Sequence, residues 1–234
     1  MIRFALMIAI AAGGFSAANF VFATGAKAER VYNVMEQRWE NIDPTRRLQS
    51  RRNPPAKYRK RNIMVRTNEA PGTIIIDTDN KFLYYITGDN RAIRYGVGVG
   101  REGFEWNGTV NVKRKQEWPS WSPPAAMRAR ERAKGRILPA YMEGGPDNPL
   151  GARALYLFQG GRDTMYRIHG TNEPWTIGLN LSSGCIRMMN DDVKDLYART
   201  DIGTKVIVVG PGQNAGRYVN EVGFGVGLPT IFGG

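Results

Sequence analysis

Between Gly72 and Val209 the apolar residues fall into short β-branched and aromatic runs, some alternating at every second position, the pattern of strands. Thr73-Ile74-Ile75-Ile76-Asp77 and Lys81-Phe82-Leu83-Tyr84-Tyr85-Ile86 are β-branched and aromatic runs joined by Thr78-Asp79-Asn80, a hairpin signal. Gly88-Asp89-Asn90 predicts a second turn into Ala92–Val99, where Ile93, Tyr95, Val97 and Val99 alternate. Thr109–Glu117 alternates through Val110 and Val112, and Leu155–Phe158, Met165–His169 and Lys205–Val209 are further strand candidates. Two helices are predicted, a short Arg-rich one over Pro124–Lys134 and one over Asp191–Arg199 with Asn190 as N-cap. The second carries Val193, Leu196 and Tyr197 on one face. The pattern predicts a mainly β fold, a β-sandwich or distorted barrel with one packed helix and a long lid loop.

Outside that region the pattern weakens. Phe4–Ala12 is a nine-residue apolar run after Arg3, and small residues lead to Ala26-Lys27-Ala28. That order reads as an export signal over residues 1–28, placing the protein in the periplasm or cell envelope. The run is shorter than the roughly 20 residues of a spanning helix, so a membrane contact is expected only through this segment if it is uncleaved. Residues 29–43 carry a weak helical stripe (Val31, Val34, Met35, Arg38, Trp39). From Pro44 to Arg66 there are nine Lys and Arg and no acid, so residues 29–71 read as a basic, Pro-containing arm or linker, solvated and extended. The folded domain is then 72–209, and residues 210–234 read as a Gly-rich flexible tail. Trp118–Leu150, with six prolines and little periodicity, reads as a lid or binding loop.

The chain has 234 residues, 42% of them hydrophobic, and a formal charge of +12. That composition excludes a wholly disordered chain and suits one domain with appendages. The charge favours an anionic partner without naming one. A single Cys rules out an intramolecular disulfide and any multi-Cys metal site, and a single His rules out a His-rich centre. No metal or organic cofactor is expected, and no nucleic-acid partner.

The two unique residues are the candidate chemistry. His169 ends a strand, and Cys185 follows sixteen positions later in Ser182-Ser183-Gly184-Cys185-Ile186-Arg187. A lone Cys is ordinarily a small buried hydrophobe and a lone His a packing residue. Here small residues let the backbone turn and offer N–H groups to an oxyanion, and Arg187 raises the local potential in favour of thiolate.

Ile168-His169-Gly170, followed by Ser182-Ser183-Gly184-Cys185-Ile186-Arg187-Met188 and Asn190, resembles the signature of the L,D-transpeptidases with a YkuD-type catalytic domain. The resemblance runs over about residues 72–209. It includes the Asp77–Lys81 hairpin, Gly96–Gly103, Trp118-Pro119 and Gly144–Gly151. Many members have His where this chain has Ser183. The resemblance implies a cysteine acyltransferase acting on peptidoglycan stem peptides. Cys185 would be the nucleophile, His169 its base, and the Gly170 carbonyl the group that orients the imidazole. The N–H groups of Ser183, Gly184 and Cys185 would form the oxyanion hole. The thioester would form at the third stem residue with loss of the terminal D-alanine, and an amine on a neighbouring stem would resolve it to a 3-3 cross-link.

Tyr141 and Trp175 are candidates for the substrate cleft, and equally for packing. Arg187 suits either a stem carboxylate or a structural ion pair. The acceptor could instead be an amine of an envelope protein, or water. Rival readings are a papain-like Cys peptidase, which generally places Cys before His, and a secreted basic protein that binds an anionic envelope polymer through residues 46–66. A working pair predicts a rate that falls as His169 protonates, with a flat profile down to pH 5 counting against it.

Overall fold

Ile74-Ile75-Ile76 and Val206–Val209 are apolar at every position because their strands are covered on both faces. Ile74, Ile76, Val206 and Val208 point into one core, whereas Ile75, Ile207 and Val209 point into a second on the opposite side. A computed structural model describes residues 29–33, 38–42, 54–100, 107–133, 135–182 and 184–222. Among these, β1 (Glu29–Asn33) and β2 (Arg38–Ile42) form an antiparallel hairpin. The weak helical stripe expected over 29–43 is therefore corrected. Val31, Tyr32, Trp39 and Ile42 are strand formers, and the hairpin supplies backbone partners that a single frayed helix lacks.

The main sheet has ten strands. β3 (Arg61–Arg66), β4 (Ile74–Asp77), β5 (Phe82–Gly88), β6 (Arg91–Gly96), β8 (Gly108–Glu117), β9 (Arg153–Gln159), β10 (Arg162–His169), β12 (Ile186–Arg187), β13 (Lys205–Val209) and β14 (Asn220–Glu221) lie in the order β12-β10-β9-β8-β13-β4-β5-β6-β3-β14. The sheet is open, with parallel pairs only at β10–β12 and β13–β4. β7 (Val99–Gly100) and β11 (Asn180–Ser182) pair separately, in parallel. Asp89 and Asn90 both have positive φ (51° and 56°), the type I′ requirement of the β5–β6 turn. Asp77 Oδ1 accepts from the N–H groups of Asp79 and Asn80 at 3.1 and 2.9 Å, closing the β4–β5 turn.

Two helices were expected, and among the described residues they are α1 (Ala125–Ala133) and α2 (Asn190–Arg199). α2 lays Val193 and Leu196 into the first core against Leu155, Leu157, Ile168 and Ile186. Full burial of such side chains is worth about 1.5–3 kcal/mol each. Its C-terminal carbonyls receive a charge: Lys115 Nζ donates to Tyr197 O at 2.8 Å and Thr200 O at 2.5 Å. Asn190 is the first helical residue rather than the N-cap, which is Met189 without a side-chain bond. Its Oδ1 accepts instead from Ala152 N at 2.9 Å, stapling the helix to the start of β9.

The sheet extends past the expected 72–209 boundary at both ends. Residues 54–66, expected to be a solvated linker, contain a 3-10 turn (Ala56–Tyr58) and strand β3. Tyr58 is buried and packs on Phe82, with ring centroids 5.6 Å apart. Residues 210–222, expected to be flexible tail, turn back through β14 and bury Val219 in the second core. Glu221 anchors that return: Arg94 donates to both of its oxygens (2.8 and 2.7 Å), and Tyr84 OH donates to Oε1 at 2.9 Å. The signal segment 1–28, most of the basic run before Pro54, and residues 223–234 lie outside the described residues. Among the described residues no helix is long and apolar enough to cross a membrane.

Candidate active site

The site is built on one face of the β8-β9-β10-β12 half of the sheet. In β10 and β12, Ile168 pairs with Ile186 and His169 with Arg187, and both Ile side chains enter the first core. Side chains alternate along a strand, so Arg167, His169 and Arg187 point to the other face together. Cys185 lies just before β12, beside Arg167, whose backbone hydrogen-bonds to it. With strands about 4.8 Å apart and residues about 3.3 Å apart along each, the Cys185 and His169 backbones sit on a diagonal of about 8 Å. A thiol and an imidazole can meet across such a span.

His169 is 3% exposed. Its Nδ1 lies 2.5 Å from Gly170 O, and because a carbonyl only accepts, Nδ1 carries the proton. Nε2 is thereby the basic nitrogen. Burial, followed by the neighbouring Arg187 charge, lowers the imidazole to about 3, so it is neutral at neutral pH. Gly170 admits no side chain, since a Cβ there would run into Asn190 Oδ1 and lie 2.9 Å from Ala152 N. The staple from Asn190 to Ala152 thus fixes the carbonyl that orients the base.

Gly184 turns the chain at φ +113°, a conformation open to glycine, immediately before the nucleophile candidate. Cys185 is a half-buried thiol outside any disulfide. Burial raises its pKa, while a hydrogen bond from the Arg167 backbone and the charges of Arg167 and Arg187 act the other way. Burial thus favours the neutral thiol and the neutral imidazole, against the two arginine charges that favour the thiolate.

Arg187 is 5% exposed and its Nη1 is 3.8 Å from Oε2 of Glu173, which is 1% exposed. The geometry is that of the ion pair among the two alternatives posed by sequence. The His-to-Cys loop is strapped around this pair. Thr171 Oγ1 accepts from Glu173 N at 3.0 Å, Thr176 Oγ1 donates to Glu173 O at 2.7 Å, and Asn172 Nδ2 donates to Asp147 O at 3.0 Å. Trp175 is half-buried in the turn Pro174–Thr176 within this loop. Tyr141 is 57% exposed. The segment around it is a folded lobe, not an open loop: Trp121 and Leu138 pack with Met127, Met142 and Leu150. Ser183, proposed for the oxyanion hole, lies outside the described residues.

Sequence reasoning did not single out Arg167, Tyr166 or Glu173. Tyr166 lies near the thiol, and burial together with the Cys185 charge raises its pKa. The register that sets Arg167 beside Cys185 is a long-range fact with no local signal. Among the described residues no group of three His, Cys, Asp or Glu could hold a metal ion.

The family model for the L,D-transpeptidase catalytic domain (YkuD) matches residues 71–208. The probable L,D-transpeptidase YbiS of Escherichia coli strain K12 is 42% identical over 137 residues, covering 58% of this chain and 43% of that protein. The probable L,D-transpeptidase ErfK/SrfK of the same strain is 40% identical over 139 residues, with the same coverages. The matched region therefore spans under half the length of these relatives. A solved structure from Brucella melitensis, described as a probable carnitine operon oxidoreductase, is 46% identical over 66% of this chain and 96% of its own, at a TM-score of 0.44. That description belongs to the Brucella protein.

Proposed function

The chain belongs to the YkuD family of L,D-transpeptidase catalytic domains, and from that premise we propose that it is a cysteine acyltransferase forming 3-3 cross-links between peptidoglycan stem peptides. The observation that supports this reading is the β10–β12 register, which brings the residue just before β12, Cys185, next to the end of β10 that carries His169, with Nδ1 committed to Gly170 O. In the first half-reaction the Cys185 sulfur bonds to the carbonyl of the third stem residue as His169 Nε2 takes the thiol proton. The amide C–N bond then breaks, and the same imidazole returns the proton to the departing D-alanine amine. In the second, the acceptor amine attacks the thioester, the C–S bond breaks, and the proton of the new amide returns through His169 to the sulfur.

Gly184 and Cys185 would offer backbone N–H groups to the tetrahedral oxygen, with Ser183 as a third. The charges of Arg167 and Arg187, which lower the Cys185 pKa, would stabilise negative charge on sulfur as it develops. Export by residues 1–28 would place this chemistry in the cell envelope, where the basic arm can lie against acidic surfaces. A carbapenem, as an acylating β-lactam, would react at Cys185. The test is incubation of the purified full chain with tetrapeptide muropeptides. Equal release of D-alanine and 3-3 dimer supports the reading. D-Alanine with tripeptide alone indicates water as acceptor, and transfer only to an added protein amine indicates an anchoring role. No D-alanine release from any donor contradicts it.

A further inference from the structure

The thiol stands at the end of a row that crosses four strands. Arg114 of β8 pairs with Tyr156 of β9, Tyr156 pairs with Arg167 of β10, and Cys185 follows beside Arg167. Both guanidinium groups lie over the Tyr156 ring, Arg114 at 4.5 Å and Arg167 at 4.3 Å from its centroid. Two irregularities produce this alignment. β8 bulges between Val112 and Arg114, and β10 shifts register between Asp163 and Arg167, at the same level on either side of β9. Val112 points into the first core, and continued alternation would send Arg114 there too. The extra residue, Lys113, turns Arg114 to the catalytic face instead.

The two arginines are held differently. Arg167 is forked onto Asp163, donating to Oδ1 at 2.7 Å and Oδ2 at 2.8 Å, so its charge is locally compensated. Arg114 is exposed, and its Nη2 donates to Gln116 Oε1 at 2.5 Å, an oxygen that also accepts from Tyr156 OH at 3.1 Å. Gln116 and the Tyr156 ring thus pre-set one exposed guanidinium, whose charge Asp163 also feels. Strand spacing of about 4.8 Å puts the Tyr156 ring about 10 Å along the row from Cys185, and the Arg114 guanidinium, on the β8 side of that ring, about 14 Å from the same residue.

We propose that the Arg114–Tyr156–Arg167 row is a subsite for a carboxylate on the acyl donor, with Arg114 as its specificity-determining residue. The inference rests on the acyltransferase reading. A carboxylate about 10 Å from the sulfur, at the end of a long side chain on the acyl residue or on the acidic residue that precedes it, leaves about 4 Å to the Arg114 guanidinium, the spacing of a bidentate contact. The planar fork of Arg114 suits a carboxylate, and the tyrosine face beneath it excludes water from one side.

The test compares the wild-type chain, Arg114→Gln and Arg114→Lys on three stem tetrapeptides: one unmodified, one amidated at the side-chain carboxylate of the third residue, one amidated at the carboxylate of the second. The readout is the ratio of kcat/KM between free and amidated donors, in which general effects on the thiol cancel. The wild type is expected to prefer the free acid over one of the amides by about tenfold. Which amide is discriminated against identifies the carboxylate. Arg114→Gln should bring that ratio close to one through KM, and Arg114→Lys should restore part of it. An unchanged ratio in Arg114→Gln, or no wild-type preference, overturns the proposal while leaving the acyltransferase reading intact. Failure of every donor to lose D-alanine would instead strike at that reading. Calorimetric binding of the same three peptides to Cys185→Ala then decides the subsite alone, equal affinities overturning it.

Discussion

The burial of His169 makes a quantitative demand on acid stability. An exposed imidazole in the unfolded chain takes a proton near pH 6.5, whereas in the folded protein burial and Arg187 hold it neutral down to about 3. Below pH 6.5 the unfolded state therefore binds a proton that the native state refuses. The stabilisation is complete above that pH and is lost as pH falls toward 3. The full difference is about 5 kcal/mol, of which about 3 kcal/mol should disappear between pH 8 and pH 4.5. Asp192 has the opposite sign: burial raises its carboxyl to about 6, so its contribution is present below the ordinary carboxylate range and is lost as pH rises through 6. Urea unfolding at a series of pH values, compared between wild type and His169→Gln, cancels Asp192 and isolates the imidazole. The wild type should lose about 3 kcal/mol more than the variant over that interval. Because His169 is the sole histidine, its ring proton resonance gives a second reading with no variant. It should show no titration between pH 8 and 4.5. A midpoint near 6.5, with parallel urea curves, refutes the buried neutral base.

The same shift revises the kinetic expectation: alkylation of Cys185 by iodoacetamide should stay flat on the acid side to about pH 4 and rise with alkali as the thiol ionises. A fall centred near pH 6.5 would place the imidazole in water. Glu173→Ala leaves Arg187 buried without its partner and should cost about 3–5 kcal/mol in urea unfolding, whereas an exposed pair would cost under about 1. Gly170→Ala must displace Asn190 Oδ1 and with it the Ala152 staple, so acylation should slow at least about tenfold while Arg114→Gln leaves iodoacetamide alkylation near the wild-type rate. Equal acylation by Gly170→Ala and wild type would show that the carbonyl does not position the base.

Much of the sheet was legible because its strands are written as short apolar runs, alternating in Ala92–Val99 and Thr109–Glu117 and continuous in Ile74–Ile76 and Val206–Val209. Lys205–Val209 has the boundaries its pattern predicted, and the wider β9 and β10 enclose their apolar runs. His169 and Cys185 were legible through uniqueness, order and the motif around the thiol. Position in three dimensions was not. Alternation through Val110 and Val112 assigns Arg114 to the core, and only the bulge at Lys113 reverses it. Charge concealed β3, whose strand needs little beyond Val65 and Ile63 toward the second core and hydrogen bonds from β6. Glycine content likewise concealed β14, which is held by Val219 and by Arg94 and Tyr84 on Glu221. Asn190 was misplaced as a cap because its true partner, Ala152 N, is thirty-eight residues away.

The most direct measurement is the intact mass of the protein after rapid mixing with a tetrapeptide donor and no acceptor amine. The account predicts a wild-type adduct equal to the stem minus D-alanine, located on Cys185, absent from Cys185→Ala and slow to form in His169→Gln. D-Alanine released by Cys185→Ala, or an adduct on any other residue, would contradict it.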